Sequence, residues 1–259
     1  MMHTISFPQR RHHFPVFRVA TALLALLLCG TLVFGDDIRD AVTTGNLARV
    51  QALVTSNSDL VFSRDEIGMT PLLWAAANGH PDVVEFLLTN RAGINVTNQL
   101  GETPLWFAAS AGNVDVVGLL LTNNAVVDAR DANGNTPLMG AAMDGTTGVI
   151  KLLLTRGANV RTWNKYGQTP LHFAAKKGKK GAADLLLLAG ANVNAVDNAG
   201  QTPLHIAAQE GFQDVALSLL LSQAAVNARD NLKFTPLHWA VLKNNTNVVA
   251  LLRQHGGQE

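Results

Sequence analysis

Three histidines, His172, His205 and His238, stand at the same point of three successive segments, each directly after Thr-Pro-Leu. Imidazole is the commonest side chain for proton transfer and metal ligation near neutral pH. A histidine that recurs is therefore the first place to look for chemistry. The remaining parts of a reactive site are missing around it. Carboxylates are scattered rather than paired, and there is no P-loop, His-Glu-x-x-His helix, calcium loop or Gly-x-Ser-x-Gly elbow. The single cysteine, Cys29, excludes both a Cys-rich zinc site and an intramolecular disulfide framework. The chain reads as non-enzymatic, with no cofactor and no metal site.

The densest charge run is Lys176, Lys177, Lys179 and Lys180, with Arg156, Arg161 and Lys165 nearby in sequence. Such a run offers an acidic partner or polyanion a place to dock; the plainer reading is a solvated turn. Twenty Lys and Arg against nineteen Asp and Glu exclude a strongly basic nucleic-acid binder on bulk charge. A hydrophobic content of 47% with 15% charged residues excludes disorder as the main state. At 259 residues, length alone admits one or two domains.

The elements that carry these residues repeat. Thr-Pro-Leu begins at Thr70, Thr103, Thr136, Thr169, Thr202 and Thr235, always 33 residues apart. Two residues before each Thr stands Gly68, Gly101, Gly134, Gly167 or Gly200, with Lys233 breaking the series. Nine residues after it stands Gly79, Gly112, Gly145, Gly178 or Gly211, with Asn244 as the last. Thr is a good helix N-cap, and Pro fits the first helical position. Each unit thus predicts a short helix such as 170–177, ended by a glycine suited to positive φ. Paired alanines such as Ala174 and Ala175 let neighbouring helices approach closely. A second helix carries apolar residues at helical spacing, as in Val83, Val84, Leu87 and Leu88. An extended piece then leads to Asp or Asn and Gly, a tight-turn signal. One such unit cannot bury its own apolar face, whereas stacked units can, which makes a solenoid.

Stretches such as GQTPLHFAAKKG, GQTPLHIAAQEG and GANVNAVDNAG resemble the ankyrin repeat family, and the resemblance covers residues 36–259. It implies an all-α fold, an ankyrin-repeat solenoid of helix-turn-helix and β-hairpin loop units. About seven repeats are expected, starting near 36, 70, 103, 136, 169, 202 and 235. The first unit, DDIRDAVTTGNLARVQALV, lacks Thr-Pro, so Asp36 or Asp37 must supply its cap. One extra residue lies around Ser56 to Ser63. In the last unit Asn244-Asn245-Thr246-Asn247 replaces the glycine turn. Both are expected to be end caps. In the family the recurrent histidine supports the hairpin and helix start by hydrogen bonding. A repeat spacing of roughly 10 Å for packed helices is also too long for shared ligation.

Residues 1–35 are a separate object. Arg10, Arg11 and Arg18 precede sixteen uncharged residues from Val19 to Phe34, and Gly35 precedes Asp36-Asp37. This is the layout of a secretory signal cleaved after Gly35; the alternative is a retained membrane anchor over 19–35. Lipoprotein processing at Cys29 and twin-arginine export at Arg10-Arg11 fit less well, because of Leu28 and the placing of Phe14. Cleavage would leave a mature chain without cysteine and with a net charge of −2, seventeen basic groups against nineteen acidic ones. The expected place is periplasmic or extracellular, and the absence of disulfides fits a bacterial envelope.

The resemblance implies a scaffold that binds a protein partner through its concave face and hairpin tips. The residues expected to make that contact are Leu100, Met143, Trp163, Lys165, Tyr166, Lys176, Lys177 and Phe234, with Trp163 and Tyr166 as anchors. Nucleic acid is not expected as a partner, a membrane only if the N-terminal segment is uncleaved, and the chain is expected to be a monomer. Trp74, Phe107, Phe173, Ile206 and Trp239 form an apolar column four residues after each Thr, read as packing. Gly140 interrupts it, beside the adaptable Met139 and Met143. The gap reads either as a notch between Phe107 and Phe173 or as a locally relaxed repeat.

Overall fold

The computed structural model describes residues 37–259. The expected cleavage site, the Arg10-Arg11 pair, Cys29 and the 19–35 segment lie outside the described residues. Seven helix pairs follow one another: α1 (37–43) with α2 (Leu47–Ser56), α3 (Pro71–Asn78) with α4 (Pro81–Thr89), α5 (Pro104–Ser110) with α6 (Val114–Thr122), α7 (Pro137–Asp144) with α8 (Thr147–Thr155), α9 (Pro170–Lys176) with α10 (Lys180–Leu188), α11 (Pro203–Glu210) with α12 (Gln213–Leu221), and α13 (Pro236–Leu242) with α14 (Thr246–Gln254). From α3 on, each first helix packs on the next first helix and each second helix on the next second helix, giving two layers. One continuous apolar cluster runs between them, from Ile38 to Leu252. This is the all-α solenoid that the repeats imply.

The local chemistry repeats with the sequence. Proline stands at the start of each first helix from α3 to α13. The hydroxyls of Thr70, Thr103, Thr202 and Thr235 accept from the backbone N–H three residues on. Lys233 and Asn244, where the two glycine series break, adopt φ of 68° and 57°, the left-handed conformation that glycine takes elsewhere in the series. The backbone geometry is therefore kept where the residue type is not, at a conformational cost that L side chains rarely bear.

At each hairpin an Asp or Asn side chain folds the turn. The side-chain oxygens of Asp65, Asn98, Asp131, Asn164, Asp197 and Asp230 each accept from the N–H groups two and four residues on. Adjacent tips are then joined by a single backbone bond, for example Lys165 N–H to the Asn133 carbonyl and Asn198 N–H to the Tyr166 carbonyl. One bond per junction does not make a ladder, so the hairpins are tight turns and no strand forms among the described residues.

Two of the three recurrent histidines are structural in the way that the resemblance implied. The Nδ1 atoms of His172 and His205 accept from the N–H of Thr169 and Thr202, and their Nε2 atoms bond the carbonyls of Gln201 and Phe234 in the next unit. Each ring therefore caps its own helix and ties two units together. His238, in the seventh pair, stacks on Phe234, with ring centroids 3.9 Å apart.

Burial lowers the pKa of His172 and His205 below the ordinary 6.5, against the opposing pull of the Gln201 and Phe234 carbonyls. The unfolded chain therefore binds protons first as the pH falls through 6.5, so the contribution of these rings to stability holds above that pH and declines below it. The urea midpoint is expected to fall between pH 7.5 and pH 5.5. The fall is expected to shrink in a His172→Gln, His205→Gln double variant. A wild-type midpoint unchanged over that range would overturn this account.

The end units differ from the inner ones as expected. The extra residue of the first unit is taken up in a 3-10 turn, Ser58–Phe62, which buries Leu60 and Val61. Asp37 pairs with Arg49 at 2.7 Å. At the other end, Gln258 N–H donates to Asn227 Oδ1 and Asn227 Nδ2 to the Gly256 carbonyl, so the last residues fold back along the seventh unit.

Candidate partner-binding surface

The hairpins and the first helices carry side chains outward from a frame whose interior is one buried apolar cluster. Two residues after each turn-forming Asp or Asn come Ile67, Leu100, Asn133, Tyr166, Ala199 and Leu232, one per unit. Four of these are large and exposed: Ile67, Leu100, Tyr166 and Leu232. The turn geometry accounts for this, because the Asx oxygen takes the N–H of that residue and leaves its side chain outside the core. Lys165 is exposed beside Tyr166, and Trp163, just before, is 63% exposed.

On the first helices, Trp74, Phe107, Phe173 and Trp239 are half-buried and Ile206 is buried, in agreement with packing residues. The indoles at the two ends of this column are also anchored: Trp74 Nε1 donates to Asp65 at 3.0 Å and Trp239 Nε1 to Asp230 at 2.8 Å. One turn further on, Met143 is half-buried, while Lys176 and Lys177 of the next unit are exposed.

Two expectations are corrected. There is no notch at Gly140: the glycine is buried, and a Cβ there would lie 2.2 Å from Ser110 Oγ. The space between α5 and α7 is filled from α5. Phe234 is not a free tip residue. It is half-buried, stacked on His238 and set edge-on to Trp239 at 5.5 Å; the residue just before each Thr-Pro is half-buried or buried in every unit, while Leu232 and Lys233 of the same hairpin stay exposed.

The lysine run divides in the same way. Lys180 is paired with Asp184 at 2.5 Å, which raises the lysine pKa. Desolvation pushes the Asp184 carboxyl up, but its hydrogen bonds to Lys180 and Ser218 and the Lys180 charge together outweigh it and hold the pKa low. Lys179 is half-buried against Gly145. Lys176 and Lys177 are left as outward cations.

Charge is unevenly distributed along the array. Residues 37–134 hold eleven acids against five bases, whereas residues 135–200 hold eight bases against three acids. The fourth and fifth units are therefore a positive segment behind a negative one.

Sequence inspection missed a set of ties between units. Asn113 Nδ2 reaches the Ala76 and Ala77 carbonyls, and Asn245 Nδ2 those of Ala208 and Gln209. Both asparagines follow the glycine position of the helix-helix turn by one residue, a spacing visible in the sequence but not in itself a sign of bonding.

The family model described as ankyrin repeats (3 copies) matches residues 38–131, 119–197 and 180–259. Among curated proteins, the chain is 39% identical over 61 residues to protein phosphatase 1 regulatory subunit 27 of Homo sapiens, a match covering 24% of this chain and 39% of that protein. It is 38% identical over 61 residues to the Mus musculus protein of the same name, with the same coverage. The chain thus spans about two fifths of the length of the curated relatives it matches.

Proposed function

The chain belongs to the ankyrin-repeat family, and from that premise we propose that it is an exported, non-catalytic scaffold that holds a protein partner on its hairpin tips and first-helix face. The observation that carries this reading is the row Ile67, Leu100, Tyr166 and Leu232. These are large side chains held outward at a fixed spacing by turns that the frame itself rigidifies. A surface ordered before the partner arrives loses little conformational entropy on binding. The two relatives carry the name of a regulatory subunit, which supports a role without catalysis here.

Lys176 and Lys177 add an electrostatic part to this surface. Reversing both to Glu is expected to lower partner recovery from extracts of the native host about five- to tenfold at low salt, with a smaller difference at high salt. Equal recovery at both salt concentrations would remove the lysines from the interface.

Export rests on the basic stretch, sixteen-residue apolar run and small residue of 1–35. The short apolar run also admits an uncleaved membrane anchor, which would make the chain a membrane-bound adaptor. Among the described residues no helix is long and apolar enough to cross a membrane. N-terminal sequencing of the protein from its host separates the two: a start at Asp36 supports cleavage, and a start upstream of Val19 supports the anchor.

A further inference from the structure

Two kinds of side-chain tie stitch inter-unit loops to the next unit. In the first, an Asn or Asp oxygen accepts the backbone N–H 31 residues later: Asn95 from Val126, Asp128 from Asn159, Asn194 from Ala225 and Asn227 from Gln258. In the second, two residues further along, an arginine bridges its own hairpin to the following unit. Arg64 donates to the Gly68 and Thr97 carbonyls, and Arg130 to those of Gly134 and Trp163. Phe62 loses the first tie but has Arg64; Thr97 and Val196 lose the second but have Asn95 and Asn194.

At one junction among the described residues both ties are gone. Arg161 stands where the carboxylate or amide belongs, and Trp163 where the arginine belongs. The Asn192 N–H, 31 residues after Arg161, has no acceptor among the described residues. Arg161 turns instead to the Gly190 carbonyl through Nε, at 3.0 Å, leaving its other guanidinium N–H groups unengaged. A cleft of about 640 Å³ opens at this junction, lined among others by Arg161, Trp163, Asn192 and Val196, with no carboxylate in its lining. Trp163 and Val196 are both exposed there.

One unit earlier, the Asp128 carboxylate occupies the corresponding place by accepting the Asn159 N–H. From this internal precedent we infer that the cleft receives a carboxylate from an acidic segment of a protein partner, which accepts from Asn192 N–H and pairs with the Arg161 guanidinium while a neighbouring apolar side chain lies on Trp163 and Val196. A guanidinium matches a carboxylate in charge and donor geometry. A free indole supplies apolar area at the same spot. The cleft lies within the segment 135–200, which carries eight bases against three acids, a balance that favours an acidic visitor. The inference rests on the scaffold reading and assigns the chemistry of its partner.

The full chain, 15N-labelled, is titrated with an acetylated and amidated hexapeptide of alternating Asp and Leu. The Asn192 amide and Trp163 indole signals are expected to move together and to saturate. The same peptide with Asn for Asp is expected to bind at least tenfold more weakly. The decisive variant is Arg161→Asn, which restores the acceptor found in four other loops. It is expected to keep the fold, slow hydrogen exchange at Asn192 and weaken the peptide at least tenfold. The inference is overturned if the Asn peptide binds equally, if Arg161→Asn binds as wild type, if no saturation is reached, or if inorganic tripolyphosphate matches the peptide and so shows a general anion site. The two readings fail differently. A native partner captured equally by wild type and Arg161→Asn removes the cleft and spares the scaffold. A wild-type chain that captures none removes the scaffold, while the titration still reads the cleft.

Discussion

Leu171→Ala is expected to destabilise the chain by about 3 kcal/mol, towards the lower end of the range for emptying a fully enclosed leucine site. Leu171 is fully buried in α9, which packs against both α7 and α11. Its loss therefore weakens two inter-unit interfaces at once. In an array held by neighbour contacts, stability is close to the unit terms plus the interface terms, so a defect in the middle separates the ends. The thermal transition is expected to broaden or divide in two. Leu237→Ala, in the last unit, removes the same side chain next to a single further pair and should fray only that end. A calorimetric trace of Leu171→Ala that stays single, at the wild-type midpoint, would contradict this.

The second large effect is expected at Gly140. Because the residue before and after it fill a continuous interface, Gly140→Leu does not find a vacancy. Its Cβ meets Ser110 Oγ at 2.2 Å, Ser110 Cβ at 3.3 Å and Ser110 Cα at 3.5 Å. The hydroxyl can rotate, but the backbone cannot withdraw without opening the α5–α7 contact. Overpacking of this kind costs about 2–3 kcal/mol, read as a lower urea midpoint at constant slope. Ser110 Oγ has no hydrogen-bond partner where it is buried. Ser110→Ala alone should therefore be close to neutral, and should recover most of the loss in a Gly140→Ala background. A stable Gly140→Leu chain would restore the notch that the sequence suggested.

Much of the frame was legible because its signals are local. Thr-Pro starts, glycine stops and Asx turns each specify the backbone within five residues, and six copies in phase make the pattern unmistakable. The surface was legible only where a residue's exposure follows from its own turn, as for Leu100, Tyr166 and Trp163. It failed where a particular side-chain contact decides, whether from a few residues on or from another unit. Phe234 carries the same sequence signals as any residue preceding Thr-Pro, yet His238 and Trp239 cover it. Lys179 and Lys180 read as part of a charge run, yet one lies against Gly145 and the other is bound to Asp184. The gap at Gly140 depended on the size of Ser110, a residue 30 positions away whose facing could not be read from composition. The loss of both ties at Arg161 and Trp163 was in the sequence throughout, but it has meaning only against ties that the structure reveals elsewhere.

The ties themselves bear on how such a chain can change length. Asn95, Asp128, Asn194 and Asn227 each reach forward by 31 residues, and His172 and His205 each by 29. Most modules thus bring along the grips for their successor and offer the handholds for their predecessor. A gene segment duplicated in phase would arrive with its own fasteners, and one deleted in phase would leave none dangling. The array can grow or shrink by tandem copying without redesign, while the irregular joint at Arg161 stays a landmark that copying alone does not create.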